Sequence, residues 1–200
     1  TRIFKQSKIM NPIITISGPG GSGKSTIAKA LVKEYKAERI YVGGIRRQIA
    51  KDKGMTLSEL NEYALTHPET DVDVDKKAAQ DARDFAKDSM VIVEGRTQFY
   101  FLPESIKIYI KVTLEEGAKR IWKSLQKEEI KQERNEAKVN SLDELIIKNK
   151  RRQEIDKERY KKYYNLDHTD ESQYDFVLNT TNINAAEATQ KVVNFINSQI

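Results

Sequence analysis

The stretch Ile16-Ser17-Gly18-Pro19-Gly20-Gly21-Ser22-Gly23-Lys24-Ser25-Thr26 decides the fold. The apolar, β-branched run Ile13-Ile14-Thr15-Ile16 leads into it, and this reads as a buried strand. Behind it Thr26–Lys36 reads as a helix with Ile27, Ala30, Leu31 and Val32 turned inward. The glycines between them let successive backbone N–H groups turn toward one concavity. The helix adds its unpaired N-terminal donors and the positive end of its dipole. Gly18-x4-Gly23-Lys24-Ser25 fits the phosphate-binding pattern G-x-x-x-x-G-K-[ST] without a gap. All residues from Gly18 to Thr26 are therefore candidate contacts for ATP. Lys24 is placed to reach the β- and γ-phosphates, and the Ser25 hydroxyl to bind Mg2+.

Outward from this loop the chain alternates between short apolar runs and helical periods. Arg39–Val42 reads as a second strand and Gly44–Asp52 as a helix, with Gly54 at its C-terminal cap. Thr56-Leu57-Ser58-Glu59 is a capping box whose helix runs to about Thr66, where Pro68 ends it. Asp75–Asp88 reads as a helix, with caps and turn formers among Asp71, Asp73 and Asp75. Met90–Val93 and Ile106–Val112 read as strands. Thr113-Leu114-Glu115-Glu116 is a second capping box, opening a helix through Trp122. Residues 123–164 are rich in Lys, Arg and Glu; they read as helices joined near Asn140-Ser141, because Leu142, Leu145 and Ile146 keep a helical spacing. Tyr174–Leu178 is the last strand, and Asn184 opens a final helix with Val192, Val193 and Ile196 on its apolar side. The alternation predicts an α/β fold in three layers, a five-stranded parallel sheet with helices on both faces.

The 200 residues suit a single domain with a real core. Cysteine is absent, which excludes disulfides and thiolate chemistry and accords with a reducing, cytoplasmic setting. A net charge of +5 with 32% charged residues favours anionic small molecules or a weak nucleic-acid field. No apolar run approaches a membrane span. The N-terminal TRIFKQSKIM is polar and basic, without the apolar stretch of a signal peptide; Met10 is a candidate natural start, and residues 1–9 are left aside. Nothing in the pattern argues for a large apolar interface, so a monomer is expected.

A phosphoryl acceptor that is itself a nucleotide brings a second anion to the first, and this calls for several cations, arginine above all. Arg47 lies on the helix after the second strand. Arg96 follows directly on Met90–Val93 and Glu94-Gly95, where α/β sheets place ligands beyond strand C-termini. Arg120 lies seven residues after the Thr113 cap, and the spacing of Arg152, Asp156 and Arg159 puts all three on one helical face. Each has a plainer reading. Arg47 also reads, less favourably, as a solvated surface residue, Arg96 as a loop residue, and the 152/156/159 set as a salt-bridge ladder on a charge-rich helix.

The segments ISGPGGSGKSTIAKAL, RRQIAKDKGMTLSELNEYA, DVDVDKKAAQDAR, VIVEGR and DKERYKKYYNLDHTDESQYDFVLNTT stand in this order. From residue 13 to 197 or so the chain thereby resembles the compact, archaeal-type cytidylate kinases. The most telling part is Asp156-x-x-Arg159-Tyr160-x-x-x-Tyr164 with its sequel Tyr174-Asp175-x-Val177-x-Asn179-Thr180. The resemblance implies a nucleoside-monophosphate kinase with its core near 10–43, 89–122 and 165–200. It also implies a helical monophosphate-binding flap near 44–88 and a lid near 123–160. It implies ATP and Mg2+ as cofactors and CMP or dCMP as acceptor. On this likeness Lys24, Arg152 and Arg159 are catalytic, and Arg120 joins the loop on the ATP side. Arg47, Asp75, Arg96, Arg152, Asp156 and Arg159 bind the acceptor, and Ser25 and Glu94 attend the metal.

The chain departs from the family pattern at three places. Gly44 stands where an acidic residue is common, and Ala78 where a glutamine would read a base edge. Thr97-Gln98-Phe99-Tyr100 is an unusual sequel to Glu-Gly-Arg. Two alternatives stand beside this reading. One is a P-loop kinase for AMP, UMP or a small metabolite of the shikimate or gluconate sort. The other is a nucleotide-dependent RNA-binding module using the basic segment 146–162 with Tyr160, Tyr163 and Tyr164, although Glu154, Asp156 and Glu158 interrupt its positive run. A nucleic-acid partner is not expected.

Overall fold

Five strands form one all-parallel sheet in a computed structural model that describes residues 10–126, 135 and 139–200. They are β1 (Ile13–Ser17), β2 (Glu38–Tyr41), β3 (Val91–Glu94), β4 (Ile106–Lys111) and β5 (Phe176–Asn179), in the order β2-β3-β1-β4-β5. β1 is the central strand, with Ile14 level with Ile92 of β3 and Ile106 of β4. Its residues alternate between two cores, as strand geometry requires. Ile14 and Ile16 meet Ile92, Ile108 and Ile110 on one face; Ile13 meets Val91 and Val93 on the other.

Helices α1 (Lys24–Tyr35) and α8 (Ala185–Asn197) cover the first face with Ile27, Leu31, Val192 and Ile196. Helix α4 (Glu69–Phe85) covers the second with Ala78, Ala79 and Ala82, small side chains that let it lie close to the sheet. Between strand and helix on this side come α2 (Val42–Asp52) and α3 (Leu57–Tyr63). The Thr56 capping box forms in full, with Thr56 Oγ1 accepting from the Glu59 N–H and Glu59 Oε2 accepting from the Thr56 N–H. The chain continues through α5 (Gln98–Phe101), α6 (Leu114–Leu125) and α7 (Leu142–Tyr164). Ser141 caps α7 at the predicted joint. The second predicted capping box is only half made. Thr113 Oγ1 accepts from the Glu116 N–H, but the Thr113 N–H donates to Thr181 Oγ1 and the Glu116 carboxylate pairs with Arg120.

The start of α4 corrects the sequence reading. It begins at Glu69, with Pro68 just before it, so Asp71, Asp73 and Asp75 lie inside the helix and cap nothing. Asp71 and Asp75 are four apart, share one face and are buried. Helix α7 joins two regions. Its Leu145 packs on Ala118 and Ile121 of α6, while further along Tyr163 OH donates to Ala64 O (2.5 Å) and Lys162 Nζ to Leu65 O (2.7 Å), just past α3. Of the expected lid segment, residues 127–134 and 136–138 lie outside the described residues. Among the described residues no helix is long and apolar enough to cross a membrane.

The topology fixes where a ligand goes. The connection after β1 leads to β2 on one side, and the connection after β3 leads to β4 on the other. Neighbouring strands whose connections part in this way leave a crevice at their carboxyl ends. Ser17 ends β1 and Glu94 ends β3, so the loop 18–26 and Arg96 meet there.

Candidate active site

The glycine loop is shaped by close packing on two sides. Gly18 has φ +141°, and a Cβ there would collide with the Ile110 carbonyl oxygen of β4. Gly21 has φ +78°, and a Cβ there would collide with the Gly117 carbonyl of α6. Gly23 stands at the N-cap of α1 with no side chain over the helix end, so the first N–H groups of α1 remain open toward a phosphate. The loop is braced from behind. Thr180 Oγ1 donates to Ser22 O at 2.9 Å, and Arg120 reaches Thr180 O at 2.6 Å and Gly21 O at 3.5 Å.

Lys24 Nζ donates to Pro19 O at 3.0 Å. Burial, then the Arg96 guanidinium, lower its pKa to about 7; Glu94 works against this, and Arg152 and Arg47 add to it. Three arginines, from α2, α7 and the loop after β3, thus bear on the lysine of the phosphate loop. Ser25 Oγ donates to Glu94 Oε1, and Arg39 NH2 holds Glu94 Oε2 at 2.5 Å. Ser25 and Glu94 together offer hard oxygen donors on the loop's inner side, the partial shell that Mg2+ accepts when phosphates and water complete it.

A cavity of about 550 Å3 runs from this loop to α4, with Arg46, Arg47, Arg96, Arg120 and Arg152 in its wall. From that wall a chain of alternating charges runs inward and back. Arg46 pairs with Asp71 Oδ1, Asp71 Oδ2 with Arg159 NH1 (2.5 Å), Arg159 NH2 with Asp156 Oδ1 (2.5 Å), and Asp156 Oδ2 with Arg96 NH1 (3.2 Å). The chain ties α2, α4, α7 and the end of β3 together. Burial alone would raise Asp156, but Arg96, Arg159 and Arg152 hold it well below the usual carboxylate range. At the α4 end Asp75 accepts from Gln98 Nε2 (3.0 Å) and Tyr164 OH (2.8 Å). Burial and the neighbouring Asp71 push Asp75 up to about 6.

The chain is 35% identical over 169 residues to a cytidylate kinase of Thermococcus kodakarensis, spanning 84% of this chain and 79% of that one. It is 37% identical over 168 residues to a cytidylate kinase of Methanothrix thermoacetophila, spanning 84% and 88%. The chain belongs to the cytidylate kinase family. A family model described as an AAA domain also matches residues 14–141. Among solved structures, a shikimate kinase from Acinetobacter baumannii in complex with shikimate superposes with TM-score 0.58 at 16% identity, over 94% of each chain. An uncharacterized protein from Eubacterium ventriosum superposes with TM-score 0.64 at 18% identity, over 94% of this chain and 99% of that one. These two likenesses carry the P-loop kinase fold alone.

Family membership gives the placement of each expected residue its meaning. Gly20 to Thr26 and Glu94 line the cavity, as do Arg47, Asp75, Arg96, Arg120 and Arg152. Gly18 and Pro19 shape the loop from outside it, through the close approach to β4 and the carbonyl that receives Lys24. Asp156 and Arg159 stand behind the wall, each 1% exposed, so in this structure Arg159 is a strut between two carboxylates rather than a group over the transfer point. The departures also find reasons. The Tyr41 ring occupies the space that a side chain at Gly44 would need, and Tyr41 OH accepts from Arg47 at 2.6 Å. Ala78 is packed into the core with Val91 and Val93. The aromatics of the basic segment turn inward. Tyr160 is buried, and the hydroxyls of Tyr163 and Tyr164 are bonded to Ala64 O and Asp75.

Several site residues escape a reading of the sequence. Arg39 grips Glu94 across the sheet, and nothing local to the β2 sequence marks it. Thr180 closes the 174–180 motif and braces the loop, a role that only its contact with Ser22 reveals. Asp71 and Gln98 make bonds to residues far along the chain, and the four-residue spacing of Asp71 and Asp75 is the one local signal.

Proposed function

We propose that the protein transfers the γ-phosphoryl group of ATP to CMP or dCMP, giving ADP and the nucleoside diphosphate. The observation that carries this, with the family membership, is the convergence of Arg47, Arg96 and Arg152 on Lys24 in one cavity. A phosphate gripped by the loop and a second phosphate gripped by these arginines face each other across that point. The loop and the N-terminus of α1 hold the triphosphate, with Arg120 fixing the loop from behind. Ser25 and Glu94 would hold Mg2+, which supplies charge neutralisation at the β- and γ-phosphates. Arg47 and Arg96 hold the acceptor phosphate. Its oxygen is already ionised, so no side chain needs to take a proton, and catalysis is positioning plus electrostatics. Arg152 and Lys24 neutralise charge on the transferring group. Arg159 and Asp156 act from behind, keeping Arg96 in place. The segment near 44–88 acts as flap and that near 123–160 as lid, whose closure excludes water and so protects ATP from hydrolysis.

Product analysis with ATP, Mg2+ and separate CMP, dCMP, UMP, AMP and shikimate tests the reading. CDP or dCDP is the expected main product, with Lys24→Ala inactive as control. A faster reaction with any other acceptor overturns it. Arg152→Ala is expected to lower kcat by about 10²–10³-fold, the cost of deleting one donor at an anionic transition state. A stopped-flow or coupled assay at saturating CMP measures it, and an unchanged kcat removes Arg152 from the catalytic set.

A further inference from the structure

The cavity is electrically lopsided. Lys24 and the cations pressing on it stand at the loop end, and two buried carboxylates, Asp71 and Asp75, stand at the α4 end. The two carboxylates are not equivalent. Asp71 gives one oxygen to Arg46 and the other to Arg159, so its charge is spent on guanidiniums. Asp75 is held by neutral donors, Gln98 Nε2 on Oδ1, Tyr164 OH on Oδ2 and the Thr97 side chain. An ionised carboxylate has about four lone-pair sites, so Asp75 retains capacity on the cavity side. Its environment is expensive: burial and the Asp71 charge both act against ionisation, yet at a pKa of about 6 it stays mostly ionised at neutral pH.

The surroundings hold this carboxylate in one orientation. Gln98 is fully buried, and its Nε2 donates to the Asp75 backbone carbonyl (3.3 Å) as well as to its carboxylate, while Gln98 Oε1 has no hydrogen-bond partner among the described residues. The amide edge is thus fixed donor-first toward Asp75. A nucleotide whose phosphate lies among Arg47, Arg96 and Arg152 directs its base away from Lys24, toward the end of the cavity where Asp75 stands.

We infer that Asp75, oriented by Gln98 and Tyr164, is the specificity-determining residue of the acceptor site and accepts a hydrogen bond from the exocyclic amine of the base. Cytosine offers that amine at N4. Uracil presents a carbonyl oxygen there, which would meet the carboxylate lone pair to lone pair. The role expected of a glutamine at position 78 passes one turn back along α4, since Ala78 is sealed in the core. The inference rests on the proposed function and sharpens it to a base with an amine edge.

The test is kcat/KM with ATP for CMP and UMP, on the wild-type protein and on Asp75→Asn. Wild type is expected to prefer CMP by at least about 10²-fold, since a site built around one hydrogen-bonding pattern rejects the reversed one strongly. The Asp75→Asn amide keeps its oxygen on Gln98 Nε2 and offers N–H to the uracil oxygen, with the Tyr164 hydroxyl turned to accept. CMP activity is expected to fall and UMP activity to rise, collapsing the ratio by about 10-fold or more. An equal loss on both acceptors overturns the inference, because a purely structural role lowers both alike. A calorimetric comparison of CMP with N4,N4-dimethyl-CMP on the wild-type protein needs no variant; at least about 10-fold weaker binding of the dimethyl compound is expected, and equal binding overturns the inference. Should wild type use AMP and not CMP, the cytidylate reading fails. Asp75 is then tested on AMP against IMP, which differ by the same amine-for-carbonyl exchange, and an unchanged preference in Asp75→Asn overturns it.

Discussion

Lys24 shows how one residue records the purpose of its surroundings. Its pKa of about 7 comes from burial and from Arg96, with smaller pressure from Arg152 and Arg47. These are the groups that a polyphosphate would neutralise. Binding an anion at the loop therefore raises the Lys24 pKa, and above pH 7 binding takes up a proton. The sign is definite: the free lysine is neutral above its lowered pKa, the bound one is charged, so the apparent affinity for ATP falls as pH rises past about 7. Calorimetry at pH 8 in HEPES and in Tris, whose ionisation enthalpies differ, is expected to show uptake of about one proton per ATP, and at pH 6 almost none. Lys24→Arg, which stays charged throughout, is expected to lose the pH 8 uptake. Equal binding enthalpies in the two buffers at pH 8 would contradict this.

At the scale of elements, α7 binds the two sides of the site together. Its Arg159 is the buried centre of a chain that runs from Arg46 through Asp71 and Asp156 to Arg96. Asp71→Ala leaves Arg46 and Arg159 without their shared carboxylate, and breaking such a buried set from one side costs about 3–5 kcal/mol. Urea unfolding is expected to show that loss, and combining Asp71→Ala with Arg159→Met is expected to cost clearly less than the sum of the two single changes. Full additivity would show that the chain carries no coupling. The same elements show what a sequence displays and what it conceals. β1 and β3 were legible because β-branched residues run continuously in strands buried on both faces, β4 because isoleucine recurs at every second position, and the Thr56 and Ser141 starts because capping is local chemistry. The beginning of α4 was not legible. Aspartates favour caps when only neighbours count, but Asp71 and Asp75 are drawn inward by Arg159 and Tyr164, whose positions depend on the packing of α7. The face shared by Arg152, Asp156 and Arg159 was visible in the spacing, yet whether it met phosphate or carboxylate depended on where α4 lay. Helix α5 spans only four residues, too few to leave a period, and so Gln98 gave no sign of its role.

Over the whole molecule, Lys24 and the arginines at 46, 47, 96, 120 and 152 gather at one crevice of the sheet, and the fold bears the cost of holding those cations together. A lysine at about 7 in the native state and 10.5 in the unfolded chain disfavours folding fully below pH 7. Between pH 7 and 10.5 the unfolded state binds more protons, so this group's contribution to stability improves as pH rises through that window. An anion at the loop offsets that cost in the pH range where it exists, below about 10.5. ATP at one hundred times its Kd adds about 2.7 kcal/mol of stability, which in a chain of this size raises Tm by about 5–10 °C. Lys24→Ala acts in opposite directions on the two forms. It removes a buried charge from among arginines, so the free protein is expected to melt no lower than wild type, while most of the ATP-induced rise disappears. That pattern is the mark of a residue kept for binding at the expense of stability. Scanning calorimetry of both proteins with and without ATP decides it: a variant that melts several degrees lower and still gains the full ATP shift would show that Lys24 holds the fold and not the phosphate.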